Sequence, residues 1–206
     1  TYHFASPQDR LFPPMIIVDI TNVCNLSCIH CAHHVIQKQP HYIPHYMDLD
    51  VFRKIVEEVS QHDILLMRIA SDGESLLHPE FFEMLEMADR AGITPINLTT
   101  NGMLLTDETN RRLIESNLSV LDVSIDAATE ETYRKIRRKG DFQQVTTNTL
   151  NLIEARDRAS SDMKVFVSAI RQPLNEGEID RFKRLWEDRA DFVLVRNLCN
   201  LFGMVD

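Results

Sequence analysis

Leu121-Asp122-Val123-Ser124-Ile125-Asp126 alternates apolar and polar side chains without a break. A period of two marks a β-strand and puts the two sets on opposite faces of a sheet. Leu121, Val123 and Ile125 should therefore pack on helices, while Asp122, Ser124 and Asp126 point the other way. A filled barrel interior is lined with branched apolar side chains. Three polar groups on that face predict a ligand cavity instead. Asn97, Thr99 and Asn101 form a similar polar set earlier in the chain.

Outward from this stretch, short apolar runs alternate with helical patterns. Strands are expected at 15–20, 65–70, 95–99, 120–125, 164–170 and 192–195. Helices are expected at 48–61, 79–91, 107–116, 129–138, 142–159 and 176–188. Leu49, Phe52, Ile55, Val56 and Val59 share one helical face behind Asp48. Pro79 suits a first helical position, Thr106 with Asp107 and Glu108 a helix start, and Gly92 a helix stop. Parallel strands need crossovers, so this βα order implies a parallel sheet with outer helices. An eight-fold barrel takes about 250 residues, and the chain has 206. The predicted class is α/β, a partial (β/α)6 TIM-like barrel, with a doubly wound sheet as the alternative. The expected division is an N-terminal extension at 1–14, the barrel at 15–198 and a tail at 199–206.

Composition excludes several classes. The chain is 44% apolar with a net charge of −9, from 31 acidic and 22 basic residues. Nucleic-acid binders show a basic excess or stripe, so no nucleic-acid partner is expected. The one dense basic run, Arg134-Lys135-Ile136-Arg137-Arg138-Lys139, reads as a solvated helix end or a local anion site. No apolar run approaches the ~18 residues of a membrane span. The first ten residues lack the apolar core of a secretory signal. The cysteines do not form a staple pattern, so a reducing cytoplasm is expected.

Just after the first predicted strand comes Cys24-Asn25-Leu26-Ser27-Cys28-Ile29-His30-Cys31. Loops after parallel strands are where barrels carry reactive groups. The spacing C-x3-C-x2-C suits a metal. Zinc would need a fourth ligand, available from Cys199, His30, His33 or His34. A [4Fe–4S] cube is usually held by four cysteines, and three would leave one iron open. Spacing alone leaves both readings standing, with His33 and His34 as solvated loop residues.

Further segments follow the later strands in order. They are Ser71-Asp72-Gly73-Glu74-Ser75, Thr99-Thr100-Asn101-Gly102, Val123-Ser124-Ile125-Asp126, and Glu131-Thr132-Tyr133-Arg134-Lys135-Ile136-Arg137 with Phe142 and Asn148. Together with the cysteine loop they resemble the radical S-adenosylmethionine (SAM) superfamily, and in particular members with a C-terminal auxiliary-cluster (SPASM-type) domain. The resemblance implies a [4Fe–4S] cluster on Cys24, Cys28 and Cys31, whose open iron chelates SAM. It implies SAM contacts at His30, Gly73, Glu74, Thr100, Asn101, Ser124, Asp126 and Arg137. Asp72 and Ser75 depart from the family's Gly-Gly-Glu-Pro segment, and His30 from its usual aromatic residue. The implied reaction is one-electron cleavage of SAM to methionine and a 5′-deoxyadenosyl radical, which abstracts hydrogen from a substrate carbon. The implied partners are a reductase, flavodoxin or ferredoxin and a peptide, sugar or other small-molecule substrate. Arg68, Arg171 and Arg196 lie in or beside strands and are candidates for a substrate anion. Cys199 alone cannot build an auxiliary cluster, so either the native chain is longer, as the missing Met suggests, or it works with one cluster. The alternative is a zinc-stabilised binding module. A hydrolase-like or nucleotide-binding fold ranks last, since no Gly-x-Ser-x-Gly or Walker segment occurs.

Overall fold

The computed structural model describes residues 12–70 and 72–199. Most of the expected N-terminal extension, Ser71 and all of the tail after Cys199 lie outside the described residues. Six strands form one sheet: β1 (Met15–Val18), β2 (Leu66–Ile69), β3 (Ile96–Thr100), β4 (Leu118–Ser124), β5 (Lys164–Arg171) and β6 (Phe192–Asn197). Their order is sequential and every neighbouring pair is parallel. A doubly wound sheet reverses its strand order at a switch point; this one never does. Right-handed crossovers in a sequential sheet keep the helices on one face, and the result is the partial barrel.

The crossover helices are α2 (Leu49–Val59), α3 (Phe81–Arg90), α4 (Asp107–Glu115), α5 (Glu130–Ile136), α6 (Phe142–Arg158) and α7 (Ile179–Trp186). A four-residue helix α1 (His33–Ile36) follows the cysteine loop. The core lies between sheet and helices. Met67, Ile69, Ile96, Leu98, Leu121, Val123, Val165 and Val167 are wholly buried there. Phe52 and Val56 of α2, and Phe182 and Trp186 of α7, face them at spacings of four along each helix. Thr106, Thr129 and Asp141 cap α4, α5 and α6 by accepting N–H bonds from Thr109, Thr132 and Gln144. Each such cap contributes about 1 kcal/mol. Gly92 closes α3 at φ +73°, where its N–H bonds Asp89 O and that of Ile93 bonds Ala88 O.

Two expectations about ends are corrected. Pro79 does not open α3, which starts at Phe81. His78 explains this: its ring lies 2.9 Å from Met47 O and accepts the Glu80 N–H, so residues 79–80 are held in a turn. The last helix is preceded by a 3-10 turn, Glu176–Glu178, and ends at Trp186. No helix among the described residues is long and apolar enough to cross a membrane.

Candidate active site

β1 ends at Val18, and the chain then runs along the end of β2. Gly73 N–H bonds Thr21 O at 3.1 Å and Glu74 N–H bonds Val23 O at 2.8 Å. This is a strand-like pairing between the approach to Cys24 and the Asp72–Glu74 turn. It requires glycine, because a Cβ at position 73 would sit 2.1 Å from Val23 O. The other tethers come from distant parts of the chain. Asn101 Nδ2 donates to Asn25 Oδ1 at 2.8 Å, Ser27 N–H to Arg138 O at 3.0 Å, and Ile29 N–H to Ile136 O at 3.0 Å. Outside the loop, Tyr42 donates to Asn22 O, and Thr21 to His45 O.

The loop covers a cavity of about 320 Å3 at the carboxyl ends of the strands. Cys24, Cys28 and Cys31 line it together with His30, Gly73, Glu74, Thr100, Asn101, Ser124 and Arg137. Eleven residues were singled out from sequence for this site, and ten of them converge here. Leu26, Ala70 and Ile170 add an apolar wall; Arg68, Asp72 and Thr99 complete the lining. Two other concavities, between α3 and α4 and between α4 and α6, lie on the helical side and carry no thiol.

The exception is Asp126, which is 1% exposed and does not line the cavity. It sits behind the lining in the left-handed region at φ +66°, a conformation that Asp tolerates better than most residues. Its Oδ2 takes Arg137 Nε at 2.7 Å and Nη2 at 2.6 Å, and its Oδ1 takes the Ile170 N–H at 2.6 Å. Asn175 Nδ2 donates to its carbonyl at 2.7 Å. Asp126, expected among the cofactor contacts, thus holds Arg137 from behind the lining. Burial alone would lower the Arg137 pKa, but Asp126 and the Cys28 and Tyr133 groups outweigh it and raise it. The cavity thus holds a permanent cation.

The remaining electrostatics follow from burial. Desolvation pushes Cys24 and Cys31 above the ordinary thiol value and Cys28 up to about 12. His30 is lowered to about 4 by burial, against the pull of Asp126, so its ring is neutral at pH 7. Its Nδ1 lies 3.3 Å from the Gln172 amide nitrogen and its Nε2 3.5 Å from Asp126 Oδ2, which assigns the proton to Nε2. Glu74 is raised by burial, although Thr100 Oγ1, Asn101 N–H and Leu76 N–H all donate to it. Both its oxygens are occupied in tying the second strand end to the third.

The inward arginines separate. Arg196 pairs with Asp122 at 2.7 Å, and Arg171 is exposed at the end of β5. Arg68 faces the cavity, donates to Thr99 Oγ1 at 2.9 Å, and has a buried Nε with no hydrogen-bond partner among the described residues. His33 proves to be buried against Tyr42 rather than solvated, because α1 folds it inward. Sequence reasoning missed Asn25, Gln172 and Asn175, whose polar side chains carry no periodic signal. Asn148 gained a role, donating to Gly102 O at 3.0 Å.

The fold and site define a class of α/β protein, a sequential parallel half-barrel with three thiols at the mouth of its polar face. Comparison with known proteins makes the class specific. The model of the radical SAM superfamily matches residues 18–185, so the chain belongs to that superfamily, whose members use a [4Fe–4S] cluster and SAM. It is 27% identical to the mycofactocin maturase MftC of Mycobacterium ulcerans (strain Agy99), over 84% of this chain and 44% of that protein. It is 30% identical to the AdoMet-dependent heme synthase of Methanosarcina barkeri (strain Fusaro), over 80% of this chain and 45% of that one. The chain thus spans about half the length of these relatives. SuiB of Streptococcus suis, solved with SAM and with the precursor peptide SuiA, has the same fold. Its TM-score is 0.75 in both at 16% identity, over 94% of this chain and 43% and 41% of SuiB.

The donor set fits the cluster better than zinc. Among the described residues no three His, Cys, Asp or Glu side chains close on one point as a single ion needs. A cube takes each thiolate at a different iron and so wants the three spread around one mouth. Cys199 is exposed and lies outside the cavity.

Proposed function

We propose that this chain is the catalytic barrel, 15–198, of a radical SAM enzyme that modifies a peptide or other anionic small molecule in a reducing cytoplasm. When bound, the reduced cluster supplies one electron that cleaves SAM and so generates the radical that removes hydrogen from a substrate carbon. In this reading Cys24, Cys28 and Cys31 would hold the cluster through their thiolates. Gly73 and Glu74 form the side of the cavity that would receive the SAM ammonium, Glu74 mainly by fixing the second strand end against the third. Arg137, turned by Asp126, keeps Nη1 for the carboxylate. Thr100, Asn101 and Ser124 offer small hydrogen-bonding groups at the ends of β3 and β4. The neutral His30 ring supplies a flat surface beside the third thiol. Leu26, Ala70 and Ile170 keep water from the reacting atoms.

The observation that carries the proposal is the convergence of three thiols and four later strand ends on one cavity. The peptide class is supported by the maturase and by the peptide-bound neighbour; the anionic class is supported by Arg68, which faces the cavity with no carboxylate partner among the described residues and a buried Nε left without a hydrogen bond. The test is anaerobic reconstitution with iron and sulfide, reduction by dithionite, and measurement of 5′-deoxyadenosine released from SAM. Stoichiometric zinc with no SAM cleavage would favour the binding-module reading instead.

A further inference from the structure

The basic run at 134–139 has a role that its composition does not reveal. Ser27 and Ile29 flank Cys28, and their N–H groups bond the carbonyls of Arg138 and Ile136. The run is therefore laid along the back of the cysteine loop. Arg137 turns inward, whereas Arg138 and Lys139 stay exposed. Lys38 approaches from the other flank: its Nζ lies 3.3 Å from His34 Nε2, and His34 Nδ1 lies 3.0 Å from Ser27 Oγ. After burial, Lys38 and Arg138 depress the His34 pKa.

Of the acids near the loop, Asp72 lines the cavity and pairs with none of Lys38, Arg138 and Lys139, and those beside the run are engaged elsewhere. Glu131 pairs with Lys135 at 2.7 Å, and Asp141 caps α6. Lys38, Arg138 and Lys139 have no carboxylate partner among the described residues. On a chain of net charge −9, the outer side of the cysteine loop is an uncompensated positive patch.

We propose that this patch is the docking face for a small acidic one-electron carrier protein. The proposal rests on the reading of the loop as a cluster site and names that site's partner. Electron transfer weakens steeply with distance, so a protein donor must sit against the loop. Redox encounters use small interfaces, and opposite charge supplies their steering and orientation. In the step itself the carrier is oxidised by one electron and the cluster gains it; no bond forms or breaks.

The experiment uses anaerobically reconstituted holoenzyme and a purified flavodoxin, with Lys38→Glu/Arg138→Glu/Lys139→Glu compared to the unaltered chain at matched iron content. Binding of oxidised flavodoxin is measured by calorimetry at about 50 mM and about 300 mM salt. The unaltered chain should bind more weakly at high salt. The triple variant should raise the low-salt Kd by about tenfold or more, in line with steering factors of roughly 10 to 1,000. Flavodoxin-driven 5′-deoxyadenosine release should fall in parallel, and the dithionite-driven rate should stay within about twofold. An unchanged Kd overturns the proposal, as does an equal loss with dithionite, which would mean the patch only braces the loop. Saturable oligonucleotide binding without flavodoxin binding also overturns it. Failure of the unaltered holoenzyme to cleave SAM with dithionite would instead remove the functional reading, and the Kd comparison would still decide the docking face.

Discussion

Replacing Gly73 by alanine should disable the cysteine loop without touching a cysteine. Gly73 does not lie in the left-handed region, unlike Gly92 and Gly102, so alanine can adopt its backbone angles. The obstacle is space: the new Cβ would lie 2.1 Å from Val23 O, 2.6 Å from Val23 C and 2.7 Å from Val23 N. These are main-chain atoms and have no rotamer to retreat to. Reaching even a 3.0 Å contact needs a shift of at least 0.9 Å from the 2.1 Å separation. Such a shift strains the Gly73–Thr21 and Glu74–Val23 hydrogen bonds, worth about 1 kcal/mol each. Overpacking adds about 1–3 kcal/mol. The sum is about 3–5 kcal/mol, which for a domain of this size lowers Tm by roughly 6–20 °C. Because the displaced segment leads directly into Cys24, cluster loading should fall too. The assay is thermal unfolding by circular dichroism together with iron and sulfide content after anaerobic reconstitution. Gly177→Ala is the control, since a Cβ there meets nothing within 4 Å; its Tm should barely move. A Gly73→Ala protein with unaltered Tm and full iron content would refute the reasoning.

The other predictions address the same site by different routes. Cys24→Ala, Cys28→Ala and Cys31→Ala should each abolish cluster loading and SAM cleavage, read by iron analysis and chromatography of 5′-deoxyadenosine, while the far-ultraviolet spectrum is retained. Arg137→Met leaves the buried Asp126 carboxylate without its cation and should cost about 3–5 kcal/mol in urea unfolding. Asp126→Asn/Arg137→Met should recover part of that loss, because no lone buried charge remains and Asn accepts the left-handed backbone; a double variant weaker than the single would contradict this. Cluster assembly should strengthen as pH rises from about 7 to about 9, because ligation needs thiolates and burial holds all three thiols protonated. The empty protein should show the opposite slope. A thiol whose folded pKa is raised stabilises fully below the free-thiol value of 9.0 and loses that stabilisation as pH climbs towards about 12 for Cys28. Unfolding midpoints of the metal-free protein across that range check the sign.

Much of the site was legible because its parts sit at strand ends, and strand ends are set by local periodicity. Once Leu121, Val123 and Ile125 face the helices, Ser124 must face the cavity. A sequential parallel sheet then brings every strand's carboxyl end to one rim, so Gly73, Glu74, Thr100, Asn101 and Ser124 meet there whatever the loops do. The cysteine spacing likewise declared a metal cluster or a zinc site before any coordinates. Side chains just past a strand end were less legible: Asp126 follows β4 by two residues, and its φ of +66° turns it away from the cavity and under Arg137.

The sequence by itself determined the number and type of the main elements, their parallel arrangement and the thiol loop, because each is written in periods and spacings within a few residues. Only the tertiary structure decided which charges are neutralised and which are available. Arg196 is paired with Asp122, 74 residues away along the chain, and Arg137 with Asp126, 11 away, whereas Arg68 has no carboxylate partner among the described residues. It alone showed that Gly73 is small for the sake of Val23, and that the basic run lies along the backbone of a cysteine loop it was never near in sequence. Those outcomes depend on contacts between distant segments. Local pattern carries no record of them, since a buried ion pair or a close main-chain approach is fixed only when the sheet has brought both sides together.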